Sequence, residues 1–278
     1  MLTDYHVHLR PDALDCTAAA YFTDANVQRY RAAAERAGVT ELGVSEHIHR
    51  FQQALAIWDH PFWRSYAVDD IDAYCEFVRD RTDLRLGLEM DFIPGREDRT
   101  ANLIDRLDLD YVVGSVHFLG ELAVDDGDYD VWERAKSPAE VWRRYFETVA
   151  EAAASGLFDI LAHPDLVKVW GPSRPAPAGD LRRYYEPAIA AIADADIAVE
   201  VSTAGLRKPI GEIYPAPAFL AACLEAGAPV ALSSDAHIPE DIGFGYDKAL
   251  ALLETLGVSE LALFDRRVRR LEPVGAAV

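Results

Sequence analysis

Seven short apolar runs in this chain each end in a histidine or a carboxylate, and helical segments separate one run from the next. The first, Tyr5–Leu9, carries His6 and His8 two residues apart. The others close at Ser45-Glu46-His47, Glu89-Met90-Asp91, Ser115-Val116-His117, Ala162-His163-Pro164-Asp165, Glu200-Val201-Ser202 and Ser234-Asp235-Ala236-His237. Strands alternating with helices through short connections must run parallel, because a parallel neighbour is reached only through a crossover. Seven such units in 278 residues favour one α/β domain over residues 1–278, a closed or nearly closed barrel. A doubly wound open sheet is the alternative. In either, the C-terminal ends of the strands converge on one face, where chemistry is done.

The local signals agree with that alternation. A helix is expected from Asp24 to Arg36, with Gly38 as its stop, and another over Asp69–Arg81, where Ile71, Tyr74, Phe77 and Val78 share a face. Ser137-Pro-Ala-Glu140 reads as a capping box with proline in the first turn, opening a helix that runs to about Ala154. Further helices are expected over Leu181–Ala195, Ala218–Ala226 and Tyr246–Leu256. The strands between them fall at Leu42–Ser45, Leu84–Met90, Tyr111–Phe118, Phe158–Ala162, Ile197–Ser202 and Pro229–Ser233. The Pro/Gly-rich stretch from Gly171 to Gly179 reads as an ordered active-site loop.

Charge narrows the function. With 47 acidic and 27 basic residues the net charge is −20, which repels nucleic-acid backbones and anionic membranes. A phosphorylated substrate would then depend on local positive charge from bound divalent metals and a few Arg or Lys side chains. No apolar run approaches the ~20 residues of a membrane span. Met-Leu-Thr-Asp-Tyr-His at the start lacks the basic-then-apolar pattern of a secretory signal. Cys16, Cys75 and Cys223 form no Cys-x-x-Cys pair, and Cys75 and Cys223, among apolar residues of expected helices, read as buried thiols, so a cytoplasmic protein is expected. Oligomeric state is left open.

Six histidines (6, 8, 47, 117, 163, 237) together with Glu89 and Asp235 occupy the same register of the alternating pattern. Burying so many ionisable groups without a cation would be costly. His49, two past His47 on a turn, is expected to be solvated, and His60, before Pro61, to be a loop residue. Mixed imidazole and carboxylate ligands suit Zn, Fe or Mn, and this set exceeds what one tetrahedral ion uses. Two or three divalent ions are therefore expected. Such a site clamps a phosphoryl group and lowers the pKa of bound water.

At these residues the sequence resembles the PHP (polymerase and histidinol phosphatase) family, in its histidinol-phosphatase branch. The resemblance rests on Asp4-Tyr-His-Val-His8, Ser45-Glu-His47, Gly87-Leu-Glu89, Gly114-Ser-Val-His117, His163-Pro-Asp-Leu166 and Asp235-Ala-His237. Ser202-Thr-Ala-Gly-Leu-Arg-Lys-Pro209 followed by Tyr214-Pro215 points to the phosphatase branch. The family implies a distorted (β/α)7 TIM-like barrel with a trinuclear centre. By matching motifs, His6, His8, Glu89 and Asp235 would hold one ion, and Glu89 would bridge to a second held with His117 and His163. His47 and His237 would hold a third with a residue soon after His8. The family places a His or Asp there; in this chain the position is Leu14, flanked by Asp12 and Asp15, and Asp12 is taken as the ligand.

The same resemblance implies hydrolysis of L-histidinol phosphate to L-histidinol and phosphate, a step of histidine biosynthesis. Hydroxide generated at the metals would attack phosphorus, with Glu89, Asp235 and His237 as catalytic residues and His237 or Asp235 protonating the departing alkoxide. Arg207, Lys208 and Lys168 are the phosphate-clamp candidates, and Glu46 or Asp91 could meet the substrate's ammonium. A relative acting on another phosphomonoester or a nucleotide is the alternative. An amidohydrolase-type barrel is disfavoured, since no Lys ends strands three to five.

Overall fold

The computed structural model describes residues 1–14 and 16–275. Its strands are β1 (Thr3–Asp4), β2 (Glu41–His47), β3 (Arg85–Asp91), β4 (Tyr111–Ser115), β5 (Phe118–Leu119), β6 (Leu122–Ala123), β7 (Ile160–Leu161), β8 (Ala198–Ser202), β9 (Val230–Ser233), β10 (Glu260–Asp265) and β11 (Val268–Pro273). Seven of them make one parallel sheet in the order β1-β2-β3-β4-β7-β8-β9, and β5-β6 and β10-β11 are antiparallel hairpins. Chain order and spatial order coincide in the seven-stranded sheet, as a barrel requires and an open doubly wound sheet does not.

The ring closes just past β1. Val7 bridges to Ala236, His8 N donates to the Ala236 carbonyl at 2.8 Å, and Ala236 N to that of His6 at 3.2 Å. The segment expected as a strand over Tyr5–Leu9 is therefore a seam rather than a full ladder. It gives one carbonyl to β2 (Ser45 N to Val7 O, 2.8 Å) and takes its remaining pairs from beyond β9.

Around the barrel lie α1 (Ala18–Tyr21), α2 (Asp24–Arg36), α3 (Pro61–Tyr66), α4 (Ile71–Arg81), α5 (Glu97–Asp105), α6 (Pro138–Ala154), α7 (Arg182–Ala195), α8 (Pro217–Glu225) and α9 (Tyr246–Thr255). The capping signals work locally as read. Ser137 Oγ accepts from Glu140 N at 3.3 Å, while the Glu140 carboxylate reaches Lys136 N at 2.9 Å, one residue outside the usual box. The expected strand Tyr111–Phe118 stops at Ser115, because Phe118 turns away into the β5-β6 hairpin.

The barrel floor is filled by aromatic rings. A side chain at Gly43 would begin 2.4 Å from Tyr111 Oη, and one at Gly87 2.4 Å from Tyr111 Cζ. The absence of Cβ at these two positions is what admits the Tyr111 ring, whose hydroxyl donates to the Tyr5 carbonyl at 2.7 Å. The β10-β11 hairpin, which the strand-end pattern does not announce, closes the floor from outside. Phe264 N donates to Tyr5 Oη at 3.2 Å, and Arg267 pairs with Asp159 at 2.9 Å. Leu261, Ala262, Leu263 and Phe264 of β10 are the hairpin's buried residues. Cys16 and Cys223 are buried and Cys75 is half-buried, all as free thiols. Among the described residues no helix is long and apolar enough to cross a membrane.

Candidate metal centre

The parallel register puts the ligands at one level. His47 on β2 lies opposite Glu89 on β3, and Glu89 lies opposite Val113 on β4, two residues before the end of that strand. His163 and Asp235 leave their strands with φ of 23° and 51°, in the left-handed region that non-glycine residues seldom occupy. Such strain collects at functional sites. Here it turns both side chains inward.

Glu89 is the hub. Its Oε2 lies 2.5 Å from His47 Nδ1, 3.1 Å from His6 Nε2 and 3.6 Å from His8 Nε2. Its Oε1 lies 3.3 Å from His163 Nε2 and 3.5 Å from His117 Nε2. Asp235 Oδ1 faces His8 Nε2 and His237 Nδ1, each at 3.5 Å, and His6 Nε2 at 3.7 Å. His47 Nε2 and His237 Nε2 approach to 3.3 Å, and His8 stacks between their rings at 4.2 Å from each.

Hydrogen bonds alone do not satisfy this cluster. His6 Nε2, both ring nitrogens of His8, Glu89 Oε2 and Asp235 Oδ1 are buried without a hydrogen-bond partner. Three groups bring ligand atoms within 4.8 Å of one another: His6, His8 and Asp235; His6, Glu89 and His163; and His8, His47 and His237. Orphaned nitrogen and oxygen donors at that spacing fit divalent cations of the Zn, Fe or Mn type.

The electrostatics follow from the crowding. Burial pushes the Glu89 and Asp235 carboxyls up, but the surrounding imidazoles outweigh it and hold both well below the ordinary range. Burial opposes a charge on His6, yet Glu200, Glu89 and Asp235 together raise it well above the usual value. Burial, with the neighbouring His47 and His237, holds His8 well below it. His47 is depressed by burial to about 3, despite Glu89. His117 is raised against burial to about 10 by Asp91 and Asp125.

A second layer orients the rings. His6 Nδ1 donates to Glu200 Oε1 at 2.7 Å, and that oxygen also accepts from Ser233 Oγ at 2.6 Å. Glu200 Oε2 takes His163 N at 2.6 Å. His117 Nδ1 donates to Asp91 Oδ1 at 2.6 Å. Each carboxylate fixes a tautomer that leaves Nε2 free to ligate. Glu200 stands at a strand end in the sequence, but nothing there separates a supporting carboxylate from a ligand. The strand-end register was the signal available for it.

All eight of the residues His6, His8, His47, Glu89, His117, His163, Asp235 and His237 meet here. Asp12 stands at the mouth beside His47 and His237, with Oδ1 3.2 Å from Arg50 Nη2 and 3.9 Å from His49 Nε2. Asp15, its alternative, lies outside the described residues. Other expectations are corrected. His49 is 4% exposed and stacks on His47 at 4.7 Å, so it is not solvated. His60 does lie in a loop as expected, yet it is 2% exposed, stacks on Trp58 at 4.1 Å, and its Nδ1 accepts from Phe62 N to cap α3. Glu46 is buried against Arg50 and Leu9 N, away from any substrate ammonium.

The cation candidates also separate. Lys168 is buried, and its Nζ is used by Asp165 (2.9 Å), Glu212 (2.7 Å) and the Ile213 carbonyl (2.9 Å), which removes it from the phosphate clamp. Arg207 Nη2 donates to the carbonyls of Ser234 and Asp235 at 2.8 and 2.9 Å, and its Nε faces Asp241 at 3.3 Å. Its Nη1 is buried without a partner. Lys208 lines the cleft above the cluster. The cleft has two lobes of about 200 and 260 Å³ that share Asp12, His47, His117, Asp125 and Lys208. The Pro/Gly-rich loop begins where Trp170 leaves the second lobe, and Arg174 ties it to Asp130 at 2.6 Å.

Comparison with known proteins agrees with this geometry. The PHP domain model matches residues 4–204. The chain is 33% identical over 252 residues to a protein of Deinococcus radiodurans named probable histidinol-phosphatase, covering 88% of this chain and 92% of that one. It is 28% identical over 217 residues to one of the same name from Clostridium acetobutylicum, covering 73% and 80%. The crystal structure of histidinol phosphate phosphatase from Lactococcus lactis, complexed with Zn, L-histidinol and phosphate, superposes with a TM-score of 0.69 at 21% identity. That match covers 97% of this chain and 98% of the other, and it establishes the shared fold.

Proposed function

The chain belongs to the PHP domain family, and on that premise we propose that it is a metal-dependent phosphomonoesterase that hydrolyses L-histidinol phosphate to L-histidinol and phosphate. The observation that carries this reading is the Glu89 carboxylate, with one oxygen toward His6, His8 and His47 and the other toward His117 and His163. A carboxylate so placed suits bridging between two cations.

His6, His8, Glu89 and Asp235 would hold one divalent ion of the Zn, Fe or Mn type, Glu89 with His117 and His163 a second, and His47, His237 and Asp12 a third. When bound, such ions supply Lewis-acid charge for the phosphoryl oxygens and make water a nucleophile near neutral pH. Lys208 Nζ and the unpartnered Arg207 Nη1 bind the outer phosphate oxygens. Asp235, held ionised by the imidazoles around it, would take the proton released by the attacking water and, with His237, return it to the leaving alkoxide. Glu200 and Asp91 keep His6 and His117 in the tautomer this requires. A net charge of −20 repels nucleic-acid backbones and anionic membranes, so the partner would be a small phosphorylated substrate met by local cations, in a protein we place in the cytoplasm.

A second reading, a phosphatase acting on another phosphomonoester or on nucleotides, is separated by substrate competition. We expect kcat/KM for histidinol phosphate to exceed that for nucleoside monophosphates and simple alkyl phosphates by about 100-fold, which needs roughly 3 kcal/mol of specific contact. Equal rates across the panel would overturn the histidinol assignment and leave only the phosphatase.

A further inference from the structure

We infer that Asp4 is a positioning residue: its buried carboxylate holds the Ser234–Asp235 turn in the conformation that delivers the Asp235 carboxylate to the cluster. The inference rests on the proposed reading of Asp235 as a metal ligand and adds what fixes its place.

Asp235 follows β9 with φ of 51°, a conformation that a non-glycine residue keeps only where its surroundings over-determine it. Asp4, the last residue of β1, is fully buried and does this on one side. Its Oδ1 accepts from Ser234 N at 2.9 Å and its Oδ2 from Ser234 Oγ at 2.5 Å. Both oxygens are thus engaged by the residue before the turn. The carbonyls of Ser234 and Asp235 are taken from the other side by Arg207 Nη2. Just past the turn, Ala236 exchanges backbone hydrogen bonds with His6 and His8.

The turn is therefore gripped through its donors by a carboxylate and through its acceptors by a guanidinium. Such charge-assisted bonds are about twice as strong as neutral ones. A buried carboxylate is a costly way merely to fill space, and an apolar side chain would pack there without that penalty. What Asp4 adds is direction. With the turn held, Asp235 Oδ1 faces His6 Nε2, His8 Nε2 and His237 Nδ1 while keeping no hydrogen-bond partner of its own. Asp4 stands two residues before His6, so the segment that carries two of the histidines also braces the carboxylate opposite them.

A double-mutant cycle on metal affinity tests this, with Asp4→Ala, Asp235→Asn and the pair compared by chelator competition. Asp4→Ala alone is expected to weaken metal binding by about tenfold. In the Asp235→Asn background the same change should cost less than about twofold, because the carboxylate it serves is already gone. Asp4→Asn, which can still accept from Ser234 N, should recover most of the loss. With metal in excess, Asp4→Ala should lower kcat and leave KM for histidinol phosphate nearly unchanged. Equal losses in both backgrounds, or wild-type affinity in Asp4→Ala, would overturn the inference. If Asp4→Ala does not fold, Ser234→Ala decides by the same cycle: it removes one of the two contacts and should weaken binding only where Asp235 is intact. A wild-type protein that binds metal but hydrolyses no phosphomonoester would instead refute the phosphatase reading and leave this inference standing, so the two failures are distinguishable.

Discussion

Glu200 shows how much of this site is set by a side chain that touches no proposed ligand atom of its own. It receives His6 Nδ1, Ser233 Oγ and His163 N on one fully buried carboxylate. A Glu200→Gln change keeps the shape but replaces one acceptor oxygen by a donor, so the His6 tautomer is no longer fixed. The expected result is a 10–100-fold loss of metal affinity, read by competition with a chelator; wild-type affinity would contradict the positioning role. The cysteines give a second check. Burial pushes the Cys75 and Cys223 thiols up to about 12, so at pH 8 both should resist alkylation until the chain unfolds. Rapid labelling of Cys223 in the native protein would contradict its packing. At this scale the sequence made the inner ligands legible, because strand-end position is itself a spatial coordinate. Lys168 has one partner within reach of spacing, Asp165 three residues before it, but the other, Glu212, stands 44 residues away. Spacing carries no trace of such a pairing. Arg207 was similarly opaque, since its anchors Ser234 O and Asp235 O are backbone atoms of another strand end.

Among the elements, those with strong periodicity and caps were legible nearly to their ends. α2 matches its expected range, and α6 starts at its Ser-Pro signal. The seam after β1 and the β10-β11 hairpin were not. The seam is short of regular ladder pairs and depends on Ala236, which is remote in sequence. The hairpin's first strand also ends in a carboxylate, but Asp265 pairs with Arg85 at 3.2 Å away from the ligand cluster, at the opposite pole of the barrel. Its contribution is packing. Leu263 of β10 is fully buried where the hairpin packs on the barrel, so Leu263→Ala is expected to cost about 2–5 kcal/mol in urea unfolding. A loss under about 1 kcal/mol would mean the hairpin is not part of the barrel's cooperative unit.

For the whole molecule, the barrel divides its labour between two ends. Tyr5, Tyr111 and the hairpin pack the floor, and the cleft at the other end opens onto the buried ionisable groups. A protein with a net charge of −20 concentrates five imidazoles around one carboxylate there, and several of their polar atoms have no hydrogen-bond partner. Divalent ions would satisfy those atoms and bind the folded state alone. Chelation should therefore lower the melting temperature, and returning metal should restore it, following mass action. The most direct test of the central claim follows phosphate release from histidinol phosphate during metal stripping and defined reconstitution with Zn, Mn or Fe, with Glu89→Gln run alongside. The account predicts that stripping abolishes turnover, that activity returns in proportion to metal bound, and that Glu89→Gln neither retains the metal nor recovers. Hydrolysis near the wild-type rate by the stripped protein, or by Glu89→Gln, would contradict it.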